Sequence, residues 1–399
     1  MCDEGDSPSS HFISSPIMTS DNEGAEPAPE ISGFTGFNLG WELDKALARM
    51  GYVNPTPIQA NAIPHALKGL DIIGQARTGS GKTAAFAIPM LAGLKNRAPA
   101  YPRALVLAPT RELATQIRDE TRALGIFKKA RVVEIVGGKS MDRQARDLRK
   151  GAHIVVGTPG RVLDMCDRGI LTLDYVEMAV LDEADEMLNM GFLEDVESIL
   201  RMLPEERQTF LFSATMESRV LQIAFNHMVE PKIIRVKDTE IERGNIREIF
   251  HFIHPSERMT ALVDVIERER VGQVIVFCRT KSEVDMVAER LQKRGFSVEA
   301  IHGDYRQNRR DKVMKMFKEG KTDILVATDV AARGIHVDNI GTVVNFRLPD
   351  DPTAYVHRIG RTGRLGKTGV AITLCTDEQK YLLDDFKNKA HKARPAMES

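Results

Sequence analysis

From Phe34 onward the large apolar side chains fall into short unbroken runs, separated by stretches in which they recur at helical spacing. The runs are Asp71-Ile-Ile-Gly74, Ala104-Leu-Val-Leu107, Val132-Val-Glu-Ile-Val136, His153-Ile-Val-Val156, Met178-Ala-Val-Leu181 and Thr209-Phe-Leu-Phe212. Short runs bounded by Gly, Pro and Asp predict strands buried on both faces, and the stretches between them predict crossover helices of a parallel sheet.

After Pro231 the pattern turns polar over Lys237-Asp-Thr-Glu-Ile-Glu-Arg-Gly244, which reads as a linker. A second series follows: Val274-Ile-Val-Phe277, Ser297-Val-Glu-Ala-Ile301, Asp323-Ile-Leu-Val326, Thr342-Val-Val-Asn-Phe346 and Val370-Ala-Ile-Thr-Leu374, with helices expected over Lys281–Arg294 and Gln307–Glu319. The halves echo one another, since His153-Ile-Val-Val-Gly-Thr resembles Asp323-Ile-Leu-Val-Ala-Thr. The expected fold class is therefore α/β, with two tandem doubly wound parallel-sheet domains. The boundaries are an acidic tail over 1–33, a first domain over 34–236, a linker over 237–244, a second domain over 245–386 and a basic tail over 387–399.

Composition changes this picture at the ends. Residues 1–33 hold seven acids (Asp3, Glu4, Asp6, Asp21, Glu23, Glu26, Glu30) and no Lys or Arg, so with an overall charge of −1 the rest of the chain carries about +6. A Ser-, Pro- and Gly-rich acidic segment with few large apolar residues cannot offset its ordering entropy, and solvated disorder is expected there. The basic run Lys387-Asn-Lys-Ala-His-Lys-Ala-Arg394 is read the same way, with partner or RNA binding as the alternative. Four scattered cysteines without a CxxC pair argue against a zinc ribbon or a disulfide framework. No signal peptide or membrane span is read, so a cytoplasmic location is expected; the protein is taken as a monomer.

Candidate chemistry begins at Ala76-Arg-Thr-Gly-Ser-Gly-Lys-Thr83, between an expected strand and an expected helix. Ala76, Thr78, Gly79, Ser80 and Gly81 would wrap a phosphate chain with backbone N–H groups, Lys82 would meet the β- and γ-phosphates, and Thr83 would help hold Mg²⁺. Such a loop alone does not separate a kinase from a motor, and an unrelated Gly-rich turn is the plain alternative. Asp182, at the end of an apolar strand, is where a phosphate-loop enzyme needs its Mg²⁺ carboxylate, and Glu183 beside it can orient or deprotonate a water.

The run Asp182-Glu183-Ala184-Asp185 resembles the signature of the DEAD-box RNA helicases, and the resemblance extends from Phe34 to about Leu383 with the family's motifs in order. It implies RecA-like domains, ATP and Mg²⁺ as cofactors, and RNA as partner. Gly51-Tyr-Val-Asn-Pro-Thr-Pro-Ile-Gln59 matches the family's Q motif, in which Gln59 would read the adenine edge and Phe34 would stack on the base. Without the resemblance, the first is a helix starting at Pro57 with Gln59 exposed, and Phe34 an N-terminal core plug. Ser213-Ala214-Thr215 would link nucleotide state to strand separation through Asp185; alone it reads as a helix cap.

The resemblance further assigns backbone RNA contacts to Pro109, Thr110, Arg111, Gly137, Gly138, Thr158, Gly160 and Arg161 in the first domain, and to Arg279, Gly303, Asp304, Gln307, Arg310 and Thr328 in the second. With 6% aromatic residues and one Trp, base stacking along that track is expected to be sparse and binding sequence-independent. In Tyr355-Val-His-Arg-Ile-Gly-Arg-Thr-Gly-Arg364, Arg361 and Arg364 would reach the γ-phosphate from the second domain, with His357 and Arg358 coupling the domains; a surface RNA patch is the other reading. A protein activator bridging the domains is a further implied partner. An RNA clamp and a DNA-directed motor are the rival functional classes.

Two positions depart from the family. His336 stands where an Asp usually touches the ATP ribose near Gly334, which predicts weaker or pH-sensitive ATP binding. In Asn345-Phe-Arg-Leu-Pro349, Phe346 and Arg347 replace the more usual Tyr and Asp, a change read either as neutral or as tuning domain closure at the cleft.

Overall fold

The computed structural model describes residues 33–76, 79–94, 101–236, 246–332, 340–363 and 368–383. In the first half, seven strands form one parallel sheet: β1 (Ile72–Gln75), β2 (Ala104–Leu107), β3 (Val132–Ile135), β4 (Ile154–Gly157), β5 (Met178–Leu181), β6 (Gln208–Ser213) and β7 (Lys232–Arg235), in the order β3-β4-β2-β5-β6-β1-β7. In the second half, six parallel strands follow: β8 (Ile246–Phe252), β9 (Gln273–Cys278), β10 (Val298–Ile301), β11 (Ile324–Thr328), β12 (Ile340–Asn345) and β13 (Gly369–Cys375), in the order β10-β11-β9-β12-β13-β8.

The chain is thus two α/β lobes with doubly wound parallel sheets, as the apolar runs imply. Each run emerges as a strand, because a parallel strand covered by helices on both faces has no solvent side on which to alternate. Ile154, Val155 and Val156, and likewise Ile324, Leu325 and Val326, are all buried. Core side chains fill both faces of the first sheet, with Phe86, Phe210 and Phe212 on one side and Leu105, Leu181 and Leu211 on the other.

Strands β7 and β8 have no counterpart among the apolar runs. Both are edge strands. In β7 only Ile234 is buried, while Lys232, Ile233 and Arg235 are exposed. One open edge and a partly solvated face allow mixed side chains there, so the hydrophobic signal fails. The expected linker over 237–244 lies outside the described residues, as do 1–32 of the acidic tail and the basic tail. Among the described residues, no helix is long and apolar enough to cross a membrane.

Candidate nucleotide and RNA site

Strand β1 ends at Gln75, and Ala76 continues beside the neighbouring strand by donating its N–H to Ser213 O at 3.1 Å. The phosphate loop then turns into the helix Lys82–Gly93 through Gly81, whose φ of 88° lies in the left-handed region. A Cβ there would run into the Gln59 amide. Gln59 is only 2% exposed, not the exposed side chain of the plain helix-start reading. It accepts from Thr56 N–H at 2.9 Å and donates from Nε2 to Gly81 O at 3.0 Å, while Thr56 Oγ1 donates to Ser80 O at 2.8 Å. The helix Pro57–Leu67 therefore grips the loop through two carbonyls. Thr56 was not singled out in the sequence; its place as the residue before Pro57 was the available signal.

Lys82 is buried, donates from Nζ to Ala76 O at 3.1 Å and stands 4.0 Å from Asp182 Oδ1. Gly79, Ser80 and Thr83 lie along the same turn, and Thr78 lies outside the described residues. Phe34 opens the 3-10 turn Phe34–Phe37 and is buried, meeting Phe37 and Tyr52 edge-on at 5.9 and 5.7 Å. The structure thus uses it as the core plug, and a base stacking on it would have to displace that packing.

Asp182 follows β5 and donates its N–H to Leu107 O at 3.0 Å. Complete burial pushes its carboxyl up to about 7, Lys82 opposing the rise and Glu183 adding to it. A desolvated carboxylate with one lysine at 4.0 Å suits a hard cation. Among the described residues no three His, Cys, Asp or Glu are grouped to hold a metal ion. The buried Asp182 carboxylate, with Thr83 in the first turn of the helix that follows the phosphate loop, fits Mg²⁺ held jointly with substrate phosphates, the usual manner for that ion. Glu183 adopts φ 54° and ψ 53°, a left-handed conformation costly for a non-glycine residue, and donates its N–H to Asp182 Oδ1 at 3.0 Å.

Asp185 Oδ2 accepts both Thr215 N–H at 2.9 Å and Thr215 Oγ1–H at 3.0 Å, and Ser213 Oγ donates to Thr215 O at 2.6 Å. The acidic run and Ser213-Ala214-Thr215 are thereby one hydrogen-bonded unit.

Of the first-lobe residues expected to face RNA, Pro109, Thr110, Arg111, Gly137, Gly138, Thr158, Gly160 and Arg161 all lie on loops or first helical turns after strands. Arg111 packs so closely on Gly137 and Gly138 that a Cβ on Gly138 would overlap its guanidinium. Burial lowers the Arg111 pKa; Glu112 counters, and Arg310 and Arg161 add to the fall. Three guanidinium groups share this field with only two carboxylates, Glu112 and Asp311, which leaves it net positive. Thr110 is spent on the helix Arg111–Leu124, accepting Leu113 N–H at 3.2 Å, and Arg161 donates to Lys139 O at 3.1 Å.

In the second lobe, Gln307 opens the helix Gln307–Lys318 and Thr328 ends β11. Arg310 pairs with Glu112 of the first lobe at 2.7 Å, both largely buried, so it bridges the lobes and is not free on an open track. His357 Nδ1 lies 3.3 Å from Glu186 Oε1, a second link, beside the acidic run. Glu112 and Glu186 were not singled out, although each directly follows a residue that was. Arg358 grips Asp329 with two bonds of 2.6 and 2.7 Å and Asn345 Oδ1 at 3.1 Å, all within its own lobe. Arg361 is half-buried in the turn after the helix Pro352–Ile359. Arg279 pairs with Asp350 at 2.7 Å, and Asp304, next to Gly303, pairs with Lys281 at 2.5 Å. Arg347 is committed to Glu283 at 2.6 Å inside the second lobe, and Phe346 is buried. Gly334, His336 and Arg364 lie outside the described residues.

A phosphate-binding loop and acidic strand end in one α/β lobe, bridged to a second such lobe by the Arg310–Glu112 ion pair and the His357–Glu186 contact, define a two-lobed P-loop nucleoside triphosphatase. Residues 56–223 match the DEAD/DEAH box helicase family model and residues 257–366 match the helicase conserved C-terminal domain. The chain is 49% identical over 351 residues to the DEAD-box ATP-dependent RNA helicase CshA of Geobacillus kaustophilus, covering 88% of this chain and 74% of that protein. A single-residue variant of S. cerevisiae Dbp5 bound to RNA and ADP BeF3 superposes with a TM-score of 0.82 at 32% identity, covering 92% of this chain and 95% of that one. The same variant bound to nup159, a gle1 variant, IP6 and ADP gives 0.62 at 30% identity, covering 90% and 94%. The chain belongs to the DEAD-box ATP-dependent RNA helicases, enzymes that hydrolyse ATP.

Proposed function

We propose that the chain binds single-stranded RNA across both lobes, hydrolyses ATP when they close on it, and thereby opens short RNA duplexes locally or remodels RNA–protein complexes. The observation that carries this reading is the pair of interlobe contacts, Arg310–Glu112 and His357–Glu186, set against the RNA-facing loops and the acidic run respectively. The higher similarity to the Dbp5 variant bound to RNA and ADP BeF3 than to the same variant bound to nup159, a gle1 variant, IP6 and ADP supports it.

In this reading Lys82 meets the β- and γ-phosphates, Gln59 meets the adenine from the helix that steadies the loop, and Phe34 stacks on the base from its own 3-10 turn once its packing on Phe37 and Tyr52 is displaced. Mg²⁺, held by Asp182 and Thr83, would neutralise developing phosphate charge. Glu183 takes the proton of the attacking water, and Arg361 and Arg364 stabilise the transferring phosphoryl group from the second lobe. Asp185 carries the nucleotide state to Thr215 and Ser213, and Arg358 stiffens the second lobe by holding Asp329. Arg111, Arg161 and Arg279, with the neighbouring hydroxyl and glycine positions, hold the RNA backbone; a bent strand held in this way is incompatible with continued duplex. The reading further takes the domains as 34–236 and 245–386, joined by a linker over 237–244. It takes the protein as a cytoplasmic monomer whose closure a bridging activator can assist.

Catalytic amounts of the protein with ATP are expected to unwind a short RNA duplex over many turnovers, with ATPase stimulated by RNA and not by DNA. Stimulation without repeated strand release would instead identify an RNA clamp. A second prediction concerns His336. Protonated, it can donate but not accept a hydrogen bond from the ribose, so the KM for ATP should rise as pH falls below neutral. In His336→Asp that rise should vanish; an identical pH profile in both proteins would end the idea.

A further inference from the structure

We propose that Arg347 is a positioning residue for RNA binding, acting through Glu283 to hold Arg279 in place at the exit of β9. The inference rests on the backbone-contacting role given above to Arg279. Strands β9 and β12 are hydrogen-bonded neighbours, with Phe277 opposite Asn345, so the segments leaving their C-terminal ends run side by side. Two ion pairs cross between those segments in opposite senses. Arg347 Nε reaches Glu283 Oε1 at 2.6 Å, and Arg279 Nη2 reaches Asp350 Oδ2 at 2.7 Å. Glu283 Oε2, the oxygen not facing Arg347, accepts the backbone N–H of Arg279 at 3.0 Å.

The two pairs differ in exposure, and that difference assigns their roles. The Arg279 and Asp350 side chains are 65% and 74% exposed, so their attraction is screened and an RNA phosphate can take the place of Asp350 at little cost. The Glu283 side chain is only 9% exposed, and a carboxylate that buried needs its cation. Arg347 is that cation. Its own carbonyl also accepts from Arg358 Nη1 at 3.5 Å, which ties the same segment to the arginine holding Asp329. Loss of Arg347 would leave Glu283 free to turn towards water and release the Arg279 backbone. An Asp at this position, as in much of the family, could not serve the Glu283 found here.

The test is the concentration of a single-stranded oligouridine that half-saturates the ATPase of the full chain, measured across salt. Arg347→Ala is expected to raise it about 5-fold, with kcat at saturating RNA and the KM for ATP unchanged. Arg347→Lys, which keeps a cation against Glu283, should recover most of the loss. Arg279→Ala should raise the half-saturating concentration at least as far and make the log–log salt slope shallower by about 0.7. The double variant should be no worse than Arg279→Ala alone, because both changes act on one contact. Additive effects would overturn the proposal, as would a lowered Tm in Arg347→Ala with unchanged half-saturation. If Arg279→Ala itself has no effect, the RNA role of Arg279 fails; if only Arg347→Ala is silent, the positioning role alone fails.

Discussion

Glu183→Gln is expected to keep ATP and RNA affinity within about 3-fold of the unmodified protein while slowing ATP turnover by about 10³-fold, the range for loss of a general base. The side chain is nearly isosteric, so the strained left-handed turn at Glu183 and its N–H bond to Asp182 should survive the change. What disappears is the carboxylate able to accept a proton from water. A non-glycine residue held at φ 54° between the Mg²⁺-fitted carboxylate and the helix Ala184–Asn189 is aimed by its surroundings. Single-turnover hydrolysis alongside fluorescence binding of labelled nucleotide separates the two effects. Turnover within a factor of about 10 of normal would remove Glu183 from the role of base.

Arg361→Ala is expected to abolish RNA-stimulated turnover, by about 10³-fold or more, with little effect on RNA-independent ATP binding. The turn bearing Arg361 follows the helix Pro352–Ile359, whose His357 already touches Glu186 of the first lobe. Only when the lobes meet can a guanidinium from that turn act on phosphates held by Lys82. Steady-state ATPase with and without oligouridine measures the loss. Normal RNA-stimulated hydrolysis in this variant would mean that the active site is not divided between the lobes.

The apolar runs marked eleven of the thirteen strands among the described residues, to the residue at Ala104–Leu107 and Met178–Leu181 and within two residues at each end elsewhere. That follows from burial on both faces, which leaves no room for polar residues. The edge strands β7 and β8 escaped because their composition answers partly to solvent. At the candidate site, the placement of residues through local spacing was legible: Lys82 at the start of a helix, Asp182 at a strand end, and Ser213 and Thr215 at and just past another. Residues whose partners are distant in sequence were not. Gln59 looked exposed from its helix position but is buried against Gly81, and Arg310 looked like a free phosphate contact but pairs with Glu112.

The fold class and the order of the motifs are written in the amino-acid sequence, because strand burial and the spacing of the phosphate loop are set by residues close together in the chain. Which charges are spent on other charges emerges only from the packed lobes. Arg347, read from sequence as a change at the cleft, is bound to Glu283, and His357 and Arg310 meet acids of the other lobe. An ion pair depends on the distance and dielectric between two groups, and neither is fixed until the strands and helices that carry them have packed.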